Sequence, residues 1–324
     1  MSTEFQTRGA LSEAADAALD CLGVHSDDRV LVLCNEPQRR LAEALAAAAW
    51  VRAGAVRLLD YPALSRDSEE APKAVAHAML QASVVLATTT FSISHTRARM
   101  EASSRGVRIA GIYVSEEHFV RTIDVDYDLL AQSGAEVAAA LTEANSCRIT
   151  SAAGTDVALS LAGRRAISDD GNLQERGAFG NLPAGEAYIA PIETVGDGTI
   201  VFDGALAGYG LLQAPLRLHL RDGRAVSAEG EAAEWLLSTL DAGGEHGRSI
   251  AEVGIGTNPS AEVCGEIAVD EKVLGTAHIA FGTSVGCGGA NEAGVHIDGI
   301  LLEPTVELDG VPVTARRPTR GSYR

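Results

Sequence analysis

The sequence predicts an α/β protein in which an N-terminal domain with a doubly wound parallel sheet is followed by a β-rich α+β domain. Short apolar runs alternate with helical stretches up to about residue 145, the pattern of a parallel sheet covered by helices on both faces. After Cys147 the segments are short, alternate apolar with polar residues, and are divided by Gly, Asp and Asn turns, which indicates β-structure. We therefore expect domains over residues 1–146 and 147–324.

The elements of the first half follow one another in strict alternation. Its strands are continuous apolar runs such as RVLVLCN and SVVLATTT, as expected of strands buried on both faces, and its helices include an alanine-rich stretch. The predicted order is helix 11–23, strand 29–35, helix 38–53, strand 55–60, helix 70–82, strand 83–90, helix 94–105, strand 107–112 and helix 127–145. This βαβ succession predicts a Rossmann-like domain.

The second half consists mainly of predicted strands. Segments such as RITSAAGTDVALSLAG and TIVFDGALAGYG alternate in character and contain turn residues, and one or two helices are predicted, for example over 229–241. No internal repeat or low-complexity segment interrupts this pattern.

Composition excludes several classes of function. The 324 residues carry a formal charge of −18, which argues against a nucleic-acid partner, because such binding relies on Lys and Arg replacing counterions. The five cysteines are widely spaced, form no CxxC pair, and indicate reduced thiols. Neither a signal peptide nor a run of about eighteen apolar residues is recognisable, so we expect a cytoplasmic protein that does not enter the membrane.

The strongest candidate for chemistry is a histidine–carboxylate pair near the C-terminus. His296 and Asp298 are two residues apart in the alternating run VHIDGILLEPTVEL, so both side chains leave the same face of a strand. Such a pair also fits an exposed strand edge, but the glycine-rich approach leaves room for a small ion. His278, in an apolar run typical of a buried histidine, supplies a third donor. The set suits zinc, manganese, cobalt or ferrous iron.

Two glutamates upstream stand in apolar strand-like runs. Glu186 begins EAYIA and Glu252 lies in SIAEVGIG, where a carboxylate is costly without a partner, and a cation is a common partner. Other acidic residues of this half lie in more polar stretches, which indicates solvated positions; these are Glu193, Glu262, Glu266 and Asp270.

His95 and Cys287 are weaker candidates. His95 follows a predicted strand and opens a helix with Ser94 as a plausible N-cap, at the end of the sheet where such folds bind ligands. Its role is therefore acid–base catalysis, substrate binding or local capping. Cys287 lies in GTSVGCGG without an identifiable base beside it, so a nucleophilic role is disfavoured.

Four consecutive motifs carry a family resemblance. GEAYIAP, AEVGIGTNP, EKVLGTAHIAFG and GGANEAGVHIDG, in that order, resemble the signatures of the thermophilic metallo-aminopeptidases of the aminopeptidase T and S type, over about residues 180–312. In that family the matching positions form a two-metal site. The resemblance thus implies metal ligands at Glu186, Glu252, His278, His296 and Asp298, and a homodimer.

The same superfamily resembles 2,5-dihydroxypyridine 5,6-dioxygenase, a ferrous ring-cleaving enzyme with two histidines and an aspartate as ligands. His296 and Asp298 match its HxD motif, and His95 matches its acid–base histidine. At the place of its remaining iron-binding histidine this chain has Glu252. In contrast to the classical peptidases, this chain has Thr283-Ser-Val where they carry a catalytic tyrosine.

We therefore expect residues 147–324 to be a metal-binding catalytic domain. The leading prediction is an aminopeptidase-type hydrolase of a small-molecule or short-peptide substrate, with one or two zinc, cobalt or manganese ions, Asp298 as bridging ligand, and Glu252 or His95 as general base. The second is an Fe(II)-dependent ring-cleaving dioxygenase. The third is a metal-binding homologue without catalytic activity.

Overall fold

The structure is a computed structural model and describes residues 3–67 and 69–313. The helices in these ranges are α1 (Thr3–Cys21), α2 (Arg39–Arg52), α3 (Lys73–Gln81), α4 (Arg97–Ser104), α5 (Glu116–Ile123), α6 (Tyr127–Glu143), α7 (Ala233–Ala242) and α8 (Ile267–Asp270). The strands are β1 (Arg29–Cys34), β2 (Ala55–Asp60), β3 (Val84–Thr88), β4 (Arg108–Ile112), β5 (Ser146–Thr150), β6 (Asp156–Ser160), β7 (Ile167–Asp169), β8 (Phe179–Asn181), β9 (Glu186–Ile189), β10 (Gly196–Phe202), β11 (Ala205–Leu206), β12 (Gly210–Leu211), β13 (Leu216–Arg221), β14 (Arg224–Glu229), β15 (Ile250–Gly256), β16 (Ala277–Gly282), β17 (His296–Leu301), β18 (Thr305–Leu308) and β19 (Val311–Val313). Among the described helices, none combines the length and apolar character needed to cross a membrane.

The first compact unit comprises Met1–Val125 and Gly171–Ala184. Its five-stranded sheet has the order β2-β1-β3-β4-β8, and every pairing in it is parallel. The residues of β3 and β4 are all buried, in agreement with the largely apolar sequences of these two strands. The predicted N-terminal parallel sheet is confirmed, with β8 as a fifth strand that the sequence pattern did not reveal.

The second compact unit comprises Asp126–Asp170 and Gly185–Arg324. Its described residues form two seven-stranded antiparallel sheets, in the orders β14-β13-β10-β6-β5-β18-β19 and β12-β11-β17-β16-β15-β9-β7. Both sheets contribute to one hydrophobic core, through residues such as Ile200 and Leu218 from the first and Val253 and Ile279 from the second. The predicted β-rich character of this half is confirmed.

The division into compact units differs from the boundary predicted between residues 146 and 147. Helix α6, expected to close the first domain, packs Val137 and Leu141 into the core of the second unit. Gly171–Ala184 returns to the first unit and adds β8 beside β4. The chain passes from one unit to the other three times, so a single domain boundary cannot describe it. Local sequence pattern does not reveal that one helix or one short strand belongs to the other unit.

Candidate metal centre

Four adjacent strands of the second sheet present the predicted donors on one face. In β9, β15 and β16 the alternate residues Ala187, Val253 and Ile279 enter the core. The intervening positions therefore point to the opposite face, since strand side chains alternate. That face carries Glu186, Glu252, His278, His296 and Asp298, the complete set of metal ligands predicted from the sequence.

Strand register brings residues that are far apart in sequence into neighbouring rows. Asp298 pairs with Ala280, and Ala280 pairs with Glu252, so the two carboxylates flank a methyl side chain across three strands. His296 pairs with Gly282, and His278 pairs with Gly254. Small residues between the donors leave space on this face for the donor side chains to converge.

Glu252 lies at the middle of the cluster. Its Oε1 is 3.1 Å from Nε2 of His278, and its Oε2 is 3.4 Å from Nε2 of His296. The same nitrogen of His296 is 3.5 Å from Oδ1 of Asp298. Nδ1 of His296 donates to the carbonyl of Thr283 at 2.8 Å, which leaves Nε2 as the lone-pair nitrogen when the ring is neutral.

The electrostatics of the cluster are dominated by carboxylates. Burial alone would lower the pKa of His278, but Glu252 and Glu186 outweigh it and raise that pKa to about 9. Burial likewise opposes the charged form of His296, but Asp298 and Glu252 raise its pKa well above the ordinary value. Without a metal, the imidazoles therefore hold protons that neutralise these carboxylates, and a bound divalent cation would take over that role.

A buried lysine that the sequence analysis did not single out holds Glu186. The ammonium of Lys272 contacts Oε1 of Glu186, lies 2.9 Å from Glu271 and 3.4 Å from Asp169, and is fully buried. Burial alone would lower the pKa of Lys272, but the three carboxylates raise it, so the ammonium is charged. No local pattern marks this lysine, because two of its three partners, Asp169 on β7 and Glu186 on β9, are remote in sequence.

The donor set fits divalent metal. Within the described residues, two groups place one donor atom from each member within 4.8 Å of the others: Glu186, Glu252 and His278 form one, and Glu252, Cys287 and His296 form the other. Glu186 is only 5% exposed, and its Oε2 has no hydrogen-bond partner although it lies 3.4 Å from Nε2 of His278. A buried carboxylate oxygen without a partner, beside imidazole and carboxylate donors, is the environment that a cation satisfies.

The glycine-rich loop after β16 is fixed by Glu193. This carboxylate accepts hydrogen bonds from the Ser284 hydroxyl at 2.8 Å and the Ala290 amide at 2.7 Å, and it contacts Arg164. Gly289 is required there, because an added Cβ would come within 2.2 Å of Ser284 Oγ. The predicted solvated position of Glu193 is wrong, since only 8% of it is exposed.

Asp270 is also buried rather than solvated. It accepts hydrogen bonds from the backbone amides of Cys264 at 2.6 Å and Gly265 at 2.9 Å. Backbone amides of a neighbouring turn thus satisfy this carboxylate, a contact that polar sequence context does not distinguish from solvent.

His95 belongs to the first compact unit, and its side chain is exposed in a turn between β3 and α4. Helix α4 begins at Arg97, and its N-cap is Thr96, whose hydroxyl accepts from the amide of Arg99. The predicted N-cap at Ser94 is therefore wrong, because the turn extends two residues further than expected. Thr96, and not His95 or Ser94, therefore caps helix α4.

Gly254 provides a test of the centre without removing a donor. A Cβ at this position would lie 2.1 Å from both Cε1 and Nε2 of His278, so Gly254→Ala must displace the imidazole. A misplacement of about 1 Å can cost about a hundredfold in function, and we expect metal affinity to fall on that scale. Calorimetric titration with zinc measures it. Gly9→Ala is the matched control, because an added Cβ there has no neighbour within 4 Å, and wild-type affinity in Gly254→Ala would contradict the geometry.

Comparisons with known proteins identify a family and two solved structures with a similar fold. A family model described as 2,5-dihydroxypyridine 5,6-dioxygenase, NicX, matches residues 10–317. The structure of 2,5-dihydroxypyridine dioxygenase from Pseudomonas putida KT2440 is 20% identical, with a TM-score of 0.81 over 96% of this chain and 98% of that chain. Wild-type AmpT from Thermus thermophilus is 19% identical, with a TM-score of 0.71 over 95% and 98%. No curated protein sequence matches this chain.

Proposed function

This chain belongs to the 2,5-dihydroxypyridine 5,6-dioxygenase family, and from that membership we propose that it is a metal-dependent enzyme. The superfamily predicted from its motifs, shared by that dioxygenase and the aminopeptidase T type, is confirmed by the family match and the two structural neighbours. The residues proposed to hold metal are Glu186, Glu252, His278, His296 and Asp298.

Within this frame, we propose hydrolysis of an amide or peptide bond. The observation that carries this proposal is the position of Glu252, whose two oxygens face different histidines and belong to two donor groups. A carboxylate shared in this way suits a pair of divalent ions. The contacts favour Glu252 over Asp298 as the bridging ligand, because Asp298 approaches only His296 among the histidines.

Charge supports a pair of ions. The cluster contains five carboxylates, on Asp169, Glu186, Glu252, Glu271 and Asp298, and one lysine ammonium. With neutral imidazoles as ligands, four negative charges remain, which is the charge that two divalent cations balance. In their absence burial raises the pKa of Glu186 to about 8, even though Lys272 opposes that rise. A single ferrous site requires only two histidines and one carboxylate.

The chemistry divides between metal and protein. Bound divalent ions would supply an activated water and polarise the scissile carbonyl. The acidic residues of the chain would attract the free amino terminus of a short-peptide substrate. Burial raises the pKa of the Tyr188 phenol, and the negative charges of Glu252, Asp169 and Glu186 raise it further. Tyr188 is therefore a protonated phenol near these carboxylates. Glu252 and His95 remain the two residues proposed from the sequence for proton transfer.

The second candidate is an Fe(II)-dependent ring-cleaving dioxygenase. It is favoured by the family match, and His278, His296 and Asp298 would supply two histidines and one carboxylate. In that reaction His95 would handle the proton of a substrate hydroxyl. A dioxygenase site of this kind would not require Glu186 and Glu252 as metal ligands.

Metal content and turnover measured together test the proposal. We expect protein purified without chelator to hold about two zinc, cobalt or manganese ions per chain, and to release amine from an aminoacyl-chromophore panel. One iron per chain with oxygen consumption on hydroxypyridines would replace hydrolase by dioxygenase. Bound metal without either activity would leave the non-catalytic homologue. His296→Ala, prepared identically, controls for contaminating peptidases.

A further inference from the structure

Cys287 is held in place from both sides of its peptide unit. Its amide donates to the carbonyl of Ser284 at 2.9 Å, and its own carbonyl accepts from the amide of Ala190 at 3.1 Å. Arg164, which also contacts Glu193, donates to the carbonyl of the following residue, Gly288, at 2.9 Å. The direction of the thiol is therefore set by the fold of the second unit, since its backbone is anchored to three separate segments.

The thiol reaches the donor cluster. Cys287 is 4% exposed, and its Sγ lies 2.6 Å from Oε2 of Glu252, the oxygen that also faces His296. Sulfur, carboxylate oxygen and imidazole nitrogen of these three residues lie within 4.8 Å of one another. On the other side of Glu252, the unpartnered Oε2 of Glu186 independently indicates a cation in the same centre.

Neither a nucleophile nor an ordinary core thiol accounts for these contacts. A reactive cysteine needs a positive environment that stabilises its thiolate, whereas Glu252 and Asp298 surround this sulfur with negative charge. An inert core thiol packs among apolar side chains, as Cys147 does in the core cluster that also contains Leu141 and Ile149. A sulfur directed at a carboxylate–imidazole pair is instead the donor combination of a metal site.

We propose that the Cys287 sulfur is a direct ligand of the metal bound by Glu252, His296 and Asp298. This inference rests on the proposed metal-dependent function and extends it to the choice of metal. On binding, the thiol proton that now lies on the Glu252 side passes to solvent, and the sulfur–metal bond takes its place. A thiolate among the ligands favours zinc and cobalt over manganese, which prefers oxygen.

Cobalt substitution tests the sulfur ligand by spectroscopy, independently of turnover. We expect the cobalt-loaded wild-type protein to show intense near-ultraviolet thiolate-to-cobalt absorption. Cys287→Ser should bind the same number of cobalt ions without that band, and Cys264→Ser, which changes another cysteine of the same unit, should keep it. Loss of an outer partner of a metal ligand costs about 10–100-fold in affinity, so loss of this ligand should weaken zinc binding at least about tenfold. Manganese affinity should change much less.

The outcomes separate this inference from the proposed function. Cobalt bound by the wild type without the thiolate band, or a band that persists in Cys287→Ser, would overturn the sulfur ligand and leave the metal enzyme intact. Failure of the wild type to bind cobalt, zinc or iron would overturn both. Thermal unfolding of Cys287→Ser without metal should match that of the wild type, because serine retains a donor to Glu252.

Discussion

Replacing His296 by alanine is expected to weaken metal binding by at least about a hundredfold, because its Nε2 faces both Glu252 and Asp298, whereas Nε2 of His278 faces the other oxygen of Glu252. Turnover should fall with the bound metal. The fold should persist with a lower melting temperature, since the variant loses the 2.8 Å hydrogen bond to Thr283 and the imidazole that faces the buried carboxylates of Glu252 and Asp298. Elemental analysis, far-ultraviolet circular dichroism and thermal unfolding measure the three effects.

His219→Ala is the matched control for this variant. His219 lies on β13 of the other sheet of the same unit, where it is partly exposed and faces Glu229 at 3.7 Å. A surface substitution of this kind changes stability by about 0.5 kcal/mol or less, and metal content should equal that of the wild type. Undiminished turnover in His296→Ala would remove His296 from the centre.

Glu252→Gln is expected to abolish binding at both donor groups, because the same carboxylate belongs to each. The amide removes one negative charge and places an NH₂ where one of the oxygens now faces a histidine or Cys287. Glu186→Gln affects one donor group only, so it should retain the metal bound near His296. Loss of a residue that only hydrogen-bonds to a metal ligand already lowers metal affinity by about 10–100-fold. We therefore expect Glu252→Gln, which alters a ligand itself, to hold less than about a tenth of the wild-type metal.

Equilibrium dialysis followed by elemental analysis distinguishes the two variants. Glu231→Gln, which alters an exposed carboxylate of the same unit, controls for the change in net charge. Equal losses in Glu252→Gln and Glu186→Gln would contradict a central position for Glu252. Burial alone would raise the pKa of Glu252, but hydrogen bonds from His278 and His296 hold it below its ordinary value, so the wild-type carboxylate is charged at neutral pH.

The sequence predicted those parts of the centre that depend on local pattern. His296 and Asp298 lie two apart on one strand, so the period of a strand places them on one face wherever that strand lies. Glu186 and Glu252 were recognisable because a carboxylate interrupts an apolar run. The β-rich second half and the parallel first sheet follow from the same kind of information, the period and length of apolar runs.

Several residues of the centre escaped prediction because their roles depend on long-range partners. Lys272 meets Glu186, 86 residues away in sequence, and Cys287 meets Glu252, 35 residues away. Glu193 reaches Ser284 across 91 residues. In sequence, Lys272 follows a glutamate, Cys287 lies in a loop and Glu193 lies in a polar stretch. The residues next to them are the kind that also surround solvent-exposed side chains, so the sequence does not mark these three as buried.

The sequence by itself determined which side chains each strand offers and to which face, because backbone geometry sets the alternation and burial selects the apolar side. Only the tertiary structure decided that β9, β15, β16 and β17 are neighbours, in a register that places Glu252 between His278 and His296. That register is set by packing of the shared core and by hydrogen bonding across the whole sheet, which no single segment encodes. The same packing positions the loop that contains Cys287, so that its sulfur contacts Glu252.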